Sequence, residues 1–178
     1  AAHGAEVAWL DGIAEEWSYA HWEEELERAA PDVLLIETKC PVIRRHWEIV
    51  HRLKERYPSM LVVLVGDHVT YDPQETLDNA PVDCIITGGD YDFLIVDLLA
   101  HLATGAALPP GFWFRADHAR CSAPDADRLT SPGGTALVTT GPADLSHNLD
   151  DLPFIDRDLT RWELYAYKNG NFKYTPGT

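Results

Sequence analysis

The sequence predicts a three-layer α/β domain with a mainly parallel sheet, followed by a β-hairpin and an extended C-terminal tail. Three observations carry that expectation. Uninterrupted aliphatic runs recur at residues 32–37 (DVLLIE), 60–65 (MLVVLV) and 84–87 (CIIT), and a strand apolar on both sides is one covered on both faces. Stretches with apolar residues every three to four positions separate those runs. Strands linked by helices of this length imply right-handed crossovers between parallel neighbours.

In chain order, residues 6–10 read as a short first strand, giving four parallel strands in all. Residues 13–30 read as a helix with Trp17, Ala20 or His21 and Leu26 on one side. Seven carboxylates lie between Asp11 and Glu27 with no Lys or Arg among them, the pattern of a solvated helix face. A second helix spans 42–56, where Ile43, Trp47, Val50 and Leu53 or Lys54 repeat. Tyr57-Pro58 ends it, because a residue before proline avoids the helical region. Residues 73–79 form a short helix with proline in its first turn, and 93–103 a longer one closed by Gly105.

The second half is richer in proline. Residues 111–115 (GFWFR) and 135–139 (TALVT) are expected to be the two arms of an antiparallel hairpin. Their connection, 116–134, is long and polar and is expected to be mobile. The organisation is therefore an α/β domain over 1–104, a hairpin with a long polar loop over 105–148, and a linker over 149–178.

Composition narrows the function classes. The chain has 178 residues, 46% hydrophobic and 24% charged, which excludes wholesale disorder. No apolar run reaches the roughly 20 residues of a membrane span, and the opening AAHGAEVAWLDG lacks the basic start of a signal peptide. Cys40, Cys84 and Cys121 are an odd count without a CxxC pair, pointing to free thiols in a reducing cytoplasm rather than to zinc or a cluster. The net charge is −15 and would still be −7 with all eight histidines protonated. Phosphate backbones and anionic membranes repel such a chain, so neither is an expected partner.

Open parallel sheets bind ligands beyond the carboxyl ends of their strands. The loops there hold Thr38, Lys39, Cys40 and Pro41; Gly66, Asp67, His68, Val69 and Thr70; and Thr87, Gly88, Gly89, Asp90 and Tyr91. Gly66 and Gly88 either let backbone approach a flat or phosphate-bearing ligand or simply make tight turns. On the ligand reading, replacing either by Val should weaken binding without unfolding the domain. His68 is open to three roles: metal ligand, hydrogen-bond donor or satisfied structural histidine; one histidine alone is a weak zinc signal. Asp11 either takes a ligand hydroxyl or caps the helix beginning near Ile13. No GxGxxG, GxxxxGK[ST] or GxSxG occurs, so no catalytic residue and no metal ligand is assigned.

Four stretches carry a family resemblance. Gly66-Asp67-His68-Val69-Thr70 followed by Pro73 and Leu77 resembles the GGPHVT…P…L stretch of cobalamin-binding domains in cobalamin-dependent radical SAM proteins. Val82 to Gly88 (VDCIITG) is similar to their VDxVVxGEGE segment, Pro110 to Arg115 (PGFWFR) to their PGLAYR hairpin, and Leu149 to Phe154 (LDDLPF) to their LDxLPFPxxDL linker. The resemblance implies a flavodoxin-like, Rossmann-like sheet holding cobalamin on its carboxyl edge, with the three loops above facing the corrin. It also implies a radical SAM domain as partner, carrying a [4Fe–4S] cluster and S-adenosylmethionine, and methyl transfer or radical rearrangement or cyclisation as the reaction.

The sequence departs from that pattern in places. Gly88-Gly89-Asp90-Tyr91 stands where the family has GEGE, and no histidine has Asp two residues before it, so base-off cobalamin without a histidine ligand is expected and His68 is expected to line the corrin face. The family's first strand and its CxxxCxxC have no counterpart in these 178 residues, so this stretch reads as part of a larger enzyme. The alternatives are a cofactor-free receiver-like interaction module, or a degenerate cobalamin domain kept for its packing. A receiver would need a lysine on a later strand, and none follows Ile86 until Lys168.

Overall fold

The aliphatic runs do form the centre of a sheet. A computed structural model describes residues 4–168 and resolves six strands: β1 (Val33–Thr38), β2 (Leu61–Gly66), β3 (Cys84–Ile86), β4 (Phe112–Arg115), β5 (Asp127–Thr130) and β6 (Ala136–Thr139). The helices are α1 (Tyr19–Ala29), α2 (Ile43–Arg56), α3 (Asp67–Tyr71), α4 (Pro73–Asn79), α5 (Tyr91–Thr104) and α6 (Glu163–Lys168). The chain divides into two compact units, Asp32–His147 and a second built from Ala1–Pro31 with Asn148–Thr178.

In the larger unit the strand order is β1-β2-β3-β4-β6-β5. β1 and β2 run parallel from Val33↔Leu61 to Thr38↔Gly66, and β3 joins in parallel at Val63↔Cys84. β4 then turns antiparallel at Ile85↔Trp113, with β6 and β5 beyond it. The result is an α/β mixed sheet, parallel through its first three strands, in the three-layer, flavodoxin-like arrangement. Every residue of β2 is buried, as a strand flanked on both sides and covered on both faces requires. On one face Val63, Val65, Cys84, Ile86, Phe112 and Phe114 pack with Leu94 and Leu98 of α5. The alternate residues Val62, Leu64 and Ile85 point the other way, and α2 and α4 meet through Trp47 Nε1 and Thr76 Oγ1 at 3.4 Å.

Three expectations are corrected. Residues 6–10 form no strand, so the parallel set has three members; an extended segment becomes a strand only when a neighbour accepts its ladder hydrogen bonds. The helix expected over 13–30 is α1 alone, capped by Ser18, whose Oγ accepts the His21 N–H at 3.2 Å; turns precede it. Segments 111–115 and 135–139 do pair as β4 and β6, yet their connection contributes β5, and β4 also pairs with β3. The hairpin therefore extends the sheet. Among the described residues β1 pairs only with β2, and its Leu35 is 39% exposed, less covered than its composition suggests.

The amino-terminal edge of the sheet is tied by one carboxylate. Asp83, just before β3, accepts from Lys54 Nζ of α2 at 2.9 and 3.1 Å, from the Val62 N–H of β2 at 2.7 Å, and from His118 Nε2 at 3.1 Å. Burial pushes this carboxyl up, but His118, the Val62 N–H and Lys54 together outweigh it and hold it below the usual carboxylate value. Beside it the Arg115 guanidinium donates to the carbonyls of Leu77, Ala80 and Val82, satisfying the end of α4.

A depressed carboxyl adds stability that is full above its unfolded value and is lost as pH falls through its folded value. Lys54→Met should therefore cost about 3 kcal/mol at pH 7 by taking the ammonium from a buried carboxylate that keeps only the Val62 N–H and His118, and the gap to wild type should narrow towards pH 3. Urea unfolding at both pH values tests this; a gap of equal size at the two would show that Lys54 does not pair with Asp83.

Candidate functional site

The parallel strands β1, β2 and β3 end side by side, so the segments that follow them share one rim; the second of these, expected as a loop, is the short helix α3. Thr38 Oγ1 donates to Val65 O at 2.8 Å, seating the first loop on β2. Lys39 Nζ lies 2.8 Å from Glu37 Oε1 and 3.4 Å from Asp67 Oδ2, linking the first loop to the second. The hydrogen bond and charge of Glu37 raise the Lys39 ammonium above its ordinary value. Thr70 Oγ1 accepts the Gly88 N–H at 3.1 Å, linking the second loop to the third. Burial raises the Tyr91 phenol, and the field of Glu37 adds to it.

Within the rim the side chains separate into outward and inward sets. Lys39, Cys40, Pro41, Asp67, Thr70 and Gly89 are exposed, and Asp90 and Tyr91 are half-buried. Thr38, Thr87 and Val69 are buried. His68 is turned beneath its loop, with its ring 6.0 Å from that of Trp47 at an edge-on 69°. Its Nε2 is 3.2 Å from Glu75 Oε2 but outside hydrogen-bond alignment, so the atom is buried without a hydrogen-bond partner.

The glycines serve the fold first. Gly66 sits at φ +105°, and a Cβ there would meet the Thr38 carbonyl oxygen at 2.4 Å. The expectation that a side chain at Gly66 would disturb only a ligand is thereby corrected, because β1 already fills that space. Gly88, at φ +88°, would place a Cβ 2.6 Å from Ala143 Cβ, whereas a Cβ on Gly89 would meet only Leu145 Cδ2 at 3.9 Å. The segment following β6 thus lies over the third loop. His147 Nδ1 bonds Asp90 Oδ2 at 2.8 Å, and its ring stacks on Phe93 at 4.4 Å and 10°. Sequence reading missed Ala143, Leu145 and His147, since nothing in a linear pattern joins residues 57 apart.

Beside the rim a groove of about 700 Å³ is lined by Thr70, Tyr71, Thr87, Trp113, Thr139 and Gly141 among others. Tyr71 is 87% exposed there. At the opposite edge of the sheet a second groove of about 410 Å³ runs past His51, Lys54, Asp83, Arg115 and His118, whose polar groups are largely spent on the network described above. Asp11 belongs to the smaller unit and is a cap. Its Oδ1 accepts from the Ile13 and Ala14 N–H groups at 3.0 Å each, and its Oδ2 takes the Tyr165 hydroxyl. All three cysteines are free, Cys40 exposed and Cys84 and Cys121 buried. Among the described residues no group of three or more His, Cys, Asp or Glu side chains is arranged to hold a metal ion, and no helix is long and apolar enough to cross a membrane.

Neither protein-family models nor curated proteins contain a match to this chain.

Gly66→Ala should lower the stability of the ligand-free chain by about 1–3 kcal/mol through strain and overpacking, read as a shift in the urea midpoint. Gly89→Ala, with open space around its Cα, should leave the midpoint unchanged. Equal midpoints for all three proteins would show that β1 yields to the added methyl.

Proposed function

We propose that the rim formed by the β1, β2 and β3 loops binds a corrinoid of the cobalamin type, serving a cobalamin-dependent radical SAM enzyme. The observation that carries this reading is the linking of all three loops into one rim by the Lys39–Asp67 and Thr70–Gly88 contacts. The donor chemistry suits the amide-rich periphery of a corrin: Lys39 and Tyr91 donate, while Asp67, Thr70 and Asp90 accept. The bare face of Gly89 is the one rim glycine against which a flat ring can rest without meeting the chain at close range. Bound cobalamin would supply the alkyl-carrying or radical-generating cobalt. On this reading His68, sealed against Trp47, holds the second loop in shape instead of reaching the metal.

A second reading is a cofactor-free interaction module, favoured by a specific observation. The space over Gly88 is filled by Ala143, and Leu145 reaches towards Gly89, so the chain itself occupies part of the rim.

Hydroxocobalamin retention separates the two. The corrinoid reading expects the desalted protein to keep a corrin absorbance band, and Gly89→Trp to abolish it with an unchanged urea midpoint. A protein that emerges colourless from desalting, at protein and ligand concentrations of about 100 μM, would support the cofactor-free module.

A further inference from the structure

The sheet face opposite α5 is left open along its antiparallel side. Phe112 and Phe114 of β4 pack towards α5, so Trp113 between them faces the other way. Trp113 pairs with Thr139 of β6, and Thr139 in turn with Asp127 of β5. Indole, hydroxyl and carboxylate thus stand in one row across three strands. The row lines the groove of about 700 Å³, and the turn from α3 to α4, with Tyr71 and Asp72, forms its other wall.

The polar groups of this groove are only partly used. The Thr87 hydroxyl donates to the Gly111 carbonyl at 3.0 Å, and that of Thr139 accepts the Gly141 N–H at 3.2 Å. Asp72 Oδ1 caps α4 by accepting the Glu75 N–H at 2.8 Å, which leaves Oδ2 over. The side chains of Tyr71, Trp113 and Asp127 hydrogen-bond to no described residue. At the opposite edge of the sheet, by contrast, Lys54, Asp83, Arg115 and His118 are bonded to one another or to backbone.

We propose that this groove binds an organic cation of the alkylammonium class. The charged side chains lining it are both carboxylates, one from each wall, with no Lys or Arg beside them. Arg128, next to Asp127, stands on the opposite face of β5, and Arg115 is committed to the Leu77, Ala80 and Val82 carbonyls. The net charge of −15 adds a field of the same sign, so an anion is repelled. A small inorganic cation is poorly served, because two carboxylates give too few oxygens to replace its hydration shell. Among the described residues no group of three or more His, Cys, Asp or Glu side chains is arranged around a metal ion. An ammonium bearing alkyl groups is weakly hydrated and needs no such shell. Asp72 and Asp127 balance its charge, and its carbon substituents rest on the indole and phenol surfaces. A neutral sugar would use the aromatic surface without answering the charge. The site stands apart from the corrinoid reading, since Lys39, Asp67 and Gly89 do not line the groove.

The test is a titration of the isotope-labelled chain with choline at constant ionic strength, followed through the indole N–H signals in proton–nitrogen spectra. Trp113→Phe identifies the Trp113 signal by its loss. The expected result is a saturable shift of that signal with half-saturation at about 1–10 mM. Dimethylbutanol, the neutral carbon analogue of choline, should need about tenfold more. Asp127→Asn and Tyr71→Ala, both at exposed positions, should each weaken choline about threefold with an unchanged urea midpoint. A Trp113 signal unmoved by about 100 mM choline would overturn the proposal, and so would equal half-saturation by choline and dimethylbutanol. Saturation by maltose at lower concentration than by choline would overturn it in favour of a saccharide site.

Discussion

The larger unit depends on a single buried carboxylate. Asp83 receives the ammonium of α2, a backbone N–H of β2 and an imidazole from the β4–β5 connection, so three separate stretches of chain converge on one side chain. A buried anion is costly unless every lone pair is used, and here all the neighbours that could wander are held by that requirement. Arg115, alongside, gives its guanidinium to the Leu77 and Ala80 carbonyls at the end of α4 and to that of Val82 beyond it. The amino-terminal edge is consequently closed by polar groups that satisfy each other, while the carboxyl-terminal rim turns its Lys39, Asp67 and Thr70 outward. One end of the sheet buries its polar contacts, and the other makes them between exposed side chains of neighbouring segments.

What could be read from sequence was what is local. β2 is an apolar run, α2 repeats Ile43, Trp47, Val50 and Leu53 with one buried side, and α4 starts at proline and spans Pro73–Asn79 as its pattern indicates. Each signal lies within one element. Residues 6–10 have a strand-like composition too, but strand formation is a property of a pair, and composition says nothing of the partner. The same limit hid β5, whose Asp127–Thr130 sequence is polar and becomes a strand because Leu137 and Val138 of β6 lie opposite.

The rim shows the limit for function. A glycine after a buried strand signals a positive φ or a close approach, and both hold at Gly66. Whether the approaching atom belongs to a ligand or to Thr38 is settled by β1, which lies 28 residues earlier. His68 is similar: its place after a strand drew attention, yet Trp47 decides where the ring points. Polar residues whose partners are far along the chain, such as Asp90 with His147 or Asp83 with His118, leave no periodic trace at all.

Asp78 on α4 has a consequence for the order of events in folding. Its carboxylate gathers Ser131, the Gly133 N–H and Thr135, fixing the turn between β5 and β6 from 53 to 57 residues away. Closing a loop of that length costs chain entropy before any contact returns it, and such non-local closures set the pace of folding. The parallel strands can assemble through neighbouring segments, each helix returning the chain to the strand beside it. The β5–β6 turn closes locally, through the Ser131 N–H to the Thr135 carbonyl at 2.9 Å and the Gly134 N–H to the Ser131 carbonyl at 3.0 Å, but its seat on Asp78 must wait until α4 is in place to receive it. The late event at this edge is therefore the docking of an already closed β5–β6 hairpin on α4, and a chain halted before Asp78 engages would carry that hairpin without its seat.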